Sequence, residues 1–329
     1  MLKALILQGN DRHTYRLQQS MTACGYNTQV VSSYKDIPRE HVNVCFIDPS
    51  LSYDPSHRID ADVCVFYDCE DAPTDFDLGE VFYSLKDKVH FYAKMNWVGE
   101  DIEGVKLIGF PIVNALQLSQ VAEAELPEFT YRNAIPFFVG APTFLGRHEP
   151  VKGRPYLSNA TTRSLGKYED HLMYNQRIDW LLSLRENNIP HVGGLVFKGD
   201  NLSVEWQSKY FGEGVKDFAC NAVNKQEFIN ALVSHRIGLN PTGHDRNSWR
   251  LYDLMATGCI LISTEMKGQK ALYFPRNIIT INDGEDLGSV LLSLQPDYRE
   301  IWKECQANRE VLVGLTPDKV RRDFLLQLT

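Results

Sequence analysis

The chain has 329 residues, 43% of them hydrophobic, enough to fill two packed cores. Its formal charge of −8 and pI near 5.6, with no long block of one sign, exclude wholesale coating of nucleic acid or an anionic membrane but leave room for a local basic groove. Seven cysteines lie scattered without a CxxC pair, several in apolar runs (Cys45, Cys64, Cys259), and read as buried thiols of a reducing cytosol. No apolar run reaches membrane-spanning length and no signal-peptide succession opens the sequence, so a cytoplasmic protein without a membrane span is expected.

Lys3 to Gln8 (KALILQ) reads as a strand, Gly9 to His13 as a polar loop and Thr14 to Cys24 as a helix. Gly25 and a strand near Thr28 to Val31 complete a β-α-β opening. Two further apolar runs, Val42 to Ile47 and Val63 to Tyr67, end in Asp48-Pro49 and in Asp68-Cys69-Glu70-Asp71. Ligands of an open parallel sheet lie beyond the carboxyl ends of its strands, which singles out Gly9, Asn10, His13, Asp48, Asp68, Glu70 and Asp71. The plain alternative is that an Asp after a strand caps the next turn. His90 to Tyr92 and Lys106 to Gly109 continue the strand series.

From Val121 to Asn133 (VAEAELPEFTYRN) the chain turns acidic and polar, as a linker does. Ile135 to Val139 (IPFFV) is a strand running into Gly140-Ala141-Pro142-Thr143, a tight turn that lets backbone approach a ligand. Leu145 to Lys167 is long and poorly patterned, with Arg147, Lys152, Arg154, Arg163 and Lys167 against one acid, Glu149; loops of that length are commonly functional or disordered. Asn175 to Asn187 is an amphipathic helix with Ile178, Leu181, Leu182 and Arg185 at helical spacing. His191 to Phe197 is a strand and Asn224 to Val233 a helix.

The densest signal is Asn240 to Glu265. A strand ends in the turn formers Asn240, Pro241, Thr242 and Gly243. Asn247 or Ser248 caps a helix from about Trp249 to Thr257, with Leu251, Leu254 and Met255 on one face and Arg250, Asp253 and Thr257 on the other. Gly258 stops it before a buried-type strand, CILIS. A diphosphate fits the unpaired N–H groups and positive dipole end of such a helix, with Arg246 and Arg250 alongside. The plain alternative is a capped helix with Arg250 and Asp253 as a surface pair.

This segment resembles the donor-binding segment of GT-B glycosyltransferases, in which an acidic residue, seven intervening residues and a second acidic residue open the helix before a small-residue, Gly, apolar-strand run. Asp245 and Asp253 stand at that separation, followed by Ala256-Thr257-Gly258 and Cys259-Ile260-Leu261-Ile262. The resemblance implies an α/β fold of two Rossmann-like domains with mostly parallel sheets and closing C-terminal helices. The acceptor-side domain would span residues 1–130 and the nucleotide-sugar domain 134–310, with 311–329 packing back on the first. It assigns the ribose hydroxyls to Asp253 and the transferred sugar to Asp245, although the family usually has the longer Glu at both places. Gly140, Thr242, Gly243, Arg246, Asn247, Ser248 and Arg250 join Asp253 as donor-binding positions. Gly9, Asn10, Asp71, Arg147, Lys152 and Arg154 are the acceptor-side candidates, and Asp48, Asp68, Glu70, Asp71 and His13 the general-base candidates for an inverting reaction. The acidic pair resembles the retaining branch, which needs no such base.

Walker A, GxGxxG, HExxH and zinc-ligand spacings are absent from the sequence. Asp60-Ala61-Asp62 precedes a strand, where the metal-binding DxD of the other major glycosyltransferase fold follows one. Asp68-Cys69-Glu70 does follow a strand and offers oxygen ligands for a divalent ion. No cofactor is expected beyond a nucleotide-sugar co-substrate, and no divalent metal. The acceptor is a glycan, a metabolite or DNA, because compact phage enzymes that glycosylate hydroxymethylated DNA bases share the GT-B architecture. The rival readings are a nucleotide-sugar epimerase of the same fold, a non-catalytic nucleotide-sugar-binding or partner subunit, and a plain α/β scaffold.

Overall fold

The computed structural model of the chain describes residues 2–8, 14–48, 58–68, 88–94, 104–109, 115–141, 145–146, 173–174, 176–197, 203–205, 208, 212–241, 249–264, 272–282 and 285–329. The chain divides into two compact units, one of Met1–Ala115, Gly268–Phe274 and Leu315–Thr329, the other of Leu116–Lys267 and Pro275–Gly314.

The first unit is built on a parallel sheet of β1 (Leu2–Leu7), β2 (Tyr26–Val31), β3 (Val42–Ile47), β4 (Ala61–Asp68), β5 (Phe91–Lys94) and β6 (Lys106–Ile108), in the order β2-β1-β3-β4-β5-β6. Helix α1 (Thr14–Ala23) connects β1 to β2. A parallel sheet needs cover on both faces, which is why β1 and β3 read as unbroken apolar runs rather than alternating ones. Leu5, Leu7, Cys45, Ile47, Phe66 and Tyr92 pack into one core cluster. Phe46 and Tyr67 are covered by Phe324 of the last helix, whose ring stacks on Phe46 at 6.3 Å and meets Tyr67 edge-on at 6.5 Å. That helix (Pro317–Leu326) starts where Thr316 accepts from the Lys319 N–H, with Pro317 in the first turn. Beyond it, the Gln327 amide donates to the carbonyl of Gly109 and accepts from its N–H, tying the tail to the end of β6.

The second unit holds a parallel sheet of β7 (Phe137–Gly140), β10 (Val192–Leu195), β11 (Ile237–Asn240), β12 (Ile260–Thr264) and β13 (Ile279–Ile281), in the order β10-β7-β11-β12-β13. A small antiparallel pair, β8 (Leu145–Gly146) and β9 (Met173–Tyr174), follows β7. Its helices are α2 (Ala115–Glu123), α3 (Gln176–Glu186), α4 (Lys225–Ser234), α5 (Trp249–Thr257), α6 (Leu287–Leu294), α7 (Tyr298–Cys305) and α8 (Ala307–Glu310); the helix of the first unit's tail is α9. Phe138, Ile178, Leu181, Leu184, Leu239 and Ile262 anchor its core.

Several local expectations change in the folded chain. The stretch read as a linker, residues 121–133, contains the end of α2 and a 3-10 turn over Phe129–Tyr131, with Arg132 only 2% exposed. The expected single face of α3 is too narrow. Gln176, Trp180 and Ser183 are buried as well, because α6 covers this side and Ser183 serves it, donating to Asp286 and accepting from the Gly288 N–H. The helical pattern near 298–313 is divided at Gln306 into α7 and α8.

Candidate functional site

In the second sheet the chain steps from β7 to its neighbour β10 and then to β11 on the other side of β7. Such a reversal opens a crevice at the carboxyl end of the switch strand, the general ligand position of open α/β sheets. A pocket of about 400 Å³ lies there, lined by Val139, Gly140, Val196, Ala222, Val223, Asn224, Lys225, Phe228, Arg250 and Asp253. Its size is within the range of small-molecule sites, and its wall mixes apolar side chains with three groups able to carry charge or strong hydrogen bonds: Lys225, Arg250 and Asp253.

Helix α5 delivers two of them. Its approach to the sheet is set by Gly238 on β11, where an added Cβ would lie 2.1 Å from Leu254 Cδ2. Leu251, Tyr252, Leu254, Met255 and Ala256 are all buried, and so are Asp253 (4% exposed) and Thr257. The two-faced helix expected from the sequence is therefore buried on its polar face too, since α4 and α8 pack against it. Arg250 is fixed by β7. Its Nη2 donates to the Val139 carbonyl at 3.1 Å and its guanidinium lies over the Phe138 ring at 4.9 Å. Gly140 makes room for this, because a Cβ there would stand 2.9 Å from Arg250 Nη2.

Asp253 does not pair with Arg250 as the surface-pair alternative supposes. Its Oδ2 accepts a hydrogen bond from Lys225 Nζ, the first residue of α4. Burial raises the Asp253 carboxyl above its usual pKa, while Lys225 first and Arg250 second pull it back. Lys225 was not among the residues the sequence singled out. The signal that could have found it is Asn224-Lys225-Gln226-Glu227, a capping box in which Asn224 accepts from the Glu227 N–H and Glu227 from the Asn224 N–H, so the start of α4 is held at the pocket wall.

The remaining predicted donor positions, Thr242, Gly243, Asp245, Arg246, Asn247 and Ser248, lie outside the described residues, as do Gly9, Asn10, His13, Glu70, Asp71, Arg147, Lys152 and Arg154. Of the first unit's strand-end carboxylates, Asp48 follows β3 at the switch between β1 and β3, with its N–H donating to the Leu7 carbonyl and 9% exposure, and Asp68 ends β4, the next strand. Asp60 and Asp62 sit at the opposite, amino end of that sheet, where both contact the His41 ring. Among the described residues no group of three or more His, Cys, Asp or Glu is placed to hold a metal ion, and no helix is long and apolar enough to cross a membrane.

Comparison with known proteins adds to this geometry. Residues 177–318 match the family model described as glycosyl transferase-like. No curated protein matches the chain at significant sequence similarity. Among solved structures, a glycosyltransferase from Rickettsia africae ESF-5 is similar at a TM-score of 0.52 and 10% identity, over 99% of this chain and 97% of that one. Sucrose-phosphate synthase from Thermosynechococcus elongatus is similar at 0.50 and 11% identity, over 99% and 98%. At identities this low the likeness is one of fold. The chain has the GT-B fold, two parallel α/β sheets with their helices, and its residues 177–318 are similar to the glycosyl transferase-like family.

Proposed function

We propose that this protein transfers a sugar from a nucleoside-diphosphate sugar to an acceptor hydroxyl, with the donor bound in the pocket of the second unit. The observation that carries this reading is Asp253, a carboxylate buried in a pocket at the carboxyl ends of β7 and β10. A buried ionisable group with a specific charge partner in such a cleft is a functional-site candidate. An ionised carboxylate accepts several hydrogen bonds and suits the paired hydroxyls of a ribose.

In this reading Arg250, with Thr242, Gly243, Arg246, Asn247, Ser248 and the start of α5, faces the diphosphate and stabilises the charge that develops on it as the glycosidic bond breaks. Asp245 contacts the transferred sugar. On the acceptor side, the acceptor hydroxyl falls in this reading to Asp48 and Asp68, at the carboxyl ends of β3 and β4. The acceptor is a hydroxyl of a small glycan, a metabolite or a hydroxymethylated DNA base. A net charge of −8 favours the first two and the basic stretch of Arg147, Lys152 and Arg154 the third.

A thermal-shift series with UDP, GDP, ADP, CMP and their sugar conjugates tests the donor reading, since a ligand of the native state raises the melting temperature. One nucleotide and its sugars should stabilise the protein, and Asp253→Ala should abolish the effect. No shift with any of them at millimolar concentration would sink the proposal.

A further inference from the structure

We infer that Lys225 is a positioning residue for Asp253: its ion pair with Oδ2 keeps the buried carboxylate ionised and oriented, so that the remaining acceptor positions of Asp253 serve the ribose of the donor. The inference rests on the donor reading above and deepens it.

A carboxylate buried this far cannot stay charged without a partner, because desolvation favours the protonated form. The charged groups that face Asp253 among the described residues are Lys225 on α4 and Arg250 on its own helix; β7 contributes Val139 and Gly140, and the residue after β10 is Val196. Arg250 acts on Asp253 through its charge alone, since its Nη2 is directed to the Val139 carbonyl, whereas Lys225 acts through both charge and a hydrogen bond. Lys225 also breaks a local rule. A cation in the first turn of a helix opposes the positive end of the helix dipole, and α4 begins at Lys225. Asp253 supplies the compensation, so the two departures from ordinary helix chemistry answer each other across the pocket. The Lys225 side chain is 42% exposed and the Asp253 side chain 5%, so the cation reaches in from the pocket side to a carboxylate held by the core. A carboxylate has about four lone-pair sites. Among the described residues Lys225 alone takes one, on Oδ2, and the others fall to hydroxyl groups in the proposal.

Replacing Lys225 by Met should then move the Asp253 carboxyl further upward, read directly by ¹³C NMR titration of the carboxyl-labelled protein, with circular dichroism as the control for folding. Binding of whichever of UDP, GDP or ADP stabilises the wild type is compared between wild type and variant at each pH, so that titration of the nucleotide's own phosphate cancels. The affinity ratio of Lys225→Met to the wild type should fall with pH, by up to about tenfold per pH unit below the new carboxyl pKa. Lys225→Arg should restore the wild-type profile, and in an Asp253→Asn background the loss of Lys225 should add little. An unchanged Asp253 titration in Lys225→Met overturns the inference. So does an affinity loss equal at every pH, which would mark Lys225 as a direct ligand or a structural residue. If none of the three nucleotides binds the wild type, the donor reading and the ribose role of Asp253 fall together, while the NMR titration still decides whether Lys225 sets the charge of Asp253.

Discussion

Arg132 donates from Nη1 to the backbone carbonyl of Thr257 at 2.9 Å, and so places a buried guanidinium at the C-terminal end of the helix that carries Arg250 and Asp253. The same nitrogen reaches the Gly258 carbonyl at 3.4 Å, while Nε donates to the Pro127 carbonyl. A cation at this end satisfies carbonyls that the helix leaves open and complements its dipole. Arg132→Met should therefore destabilise the protein by about 2 kcal/mol, the scale of a hydrogen bond to a charged group, measured as a shift in urea midpoint. Arg132→Lys should recover little, because a lysine lacks the planar fork that serves both directions at once.

For Asp253→Asn the expected loss is in nucleotide affinity, about 1–3 kcal/mol by titration calorimetry, with little change in stability near neutral pH. The sign of its pH dependence is distinctive. A carboxyl whose pKa is raised in the folded state contributes stability that is present below its unfolded value of 3.8 and is lost as pH rises through the folded value. Stability of the wild type relative to Asp253→Asn should accordingly fall as pH rises above about 4, and a flat difference would contradict this account.

Gly140→Ala tests how tightly β7 and Arg250 are fitted. The new methyl would stand 2.9 Å from both Arg250 Nη2 and Phe138 Cζ, so one of them must move. A stability cost of about 1–3 kcal/mol is expected from overpacking, together with weaker nucleotide binding as the guanidinium leaves the Val139 carbonyl. Unaltered affinity would remove Arg250 from the donor pocket.

Asp286 offers a prediction away from the pocket. It caps α6 through the Ser289 N–H and also accepts from Ser183 and Asn187. Burial would push its carboxyl up, but these hydrogen bonds outweigh it and bring it down to about 2. Its contribution is therefore complete above the unfolded value of 3.8 and is lost as pH falls toward about 2. Asp286→Ala should cost about 1 kcal/mol at neutral pH, and the gap to the wild type should close in acid denaturation.

Much of the sheet architecture was readable because both sheets are parallel and doubly covered: Val42–Ile47 and Ile260–Thr264 appear as short apolar runs wherever they sit in the chain. The candidate site was legible only where its chemistry is local. Arg250 and Asp253 stand out by helical spacing beside a glycine and a strand, but their partners come from elsewhere. Lys225 meets Asp253 across 28 positions and Arg132 meets Thr257 across 125, distances at which periodicity carries no information. Arg132 was further concealed by its neighbours, since an acidic, proline-bearing stretch reads as exposed whether or not one of its side chains turns inward.

The first unit takes its last fifteen residues, Leu315–Thr329, from the far end of the chain, after the chain has built the second unit. During synthesis at about 5–20 residues per second, the six-stranded sheet is therefore complete in sequence long before Phe324 emerges to cover Phe46 and Tyr67. The unit made first is the one finished last. Until Phe324 is made, Phe46 and Tyr67 lack the ring that covers them, so a cut anywhere before Leu315 removes packing from the N-terminal core.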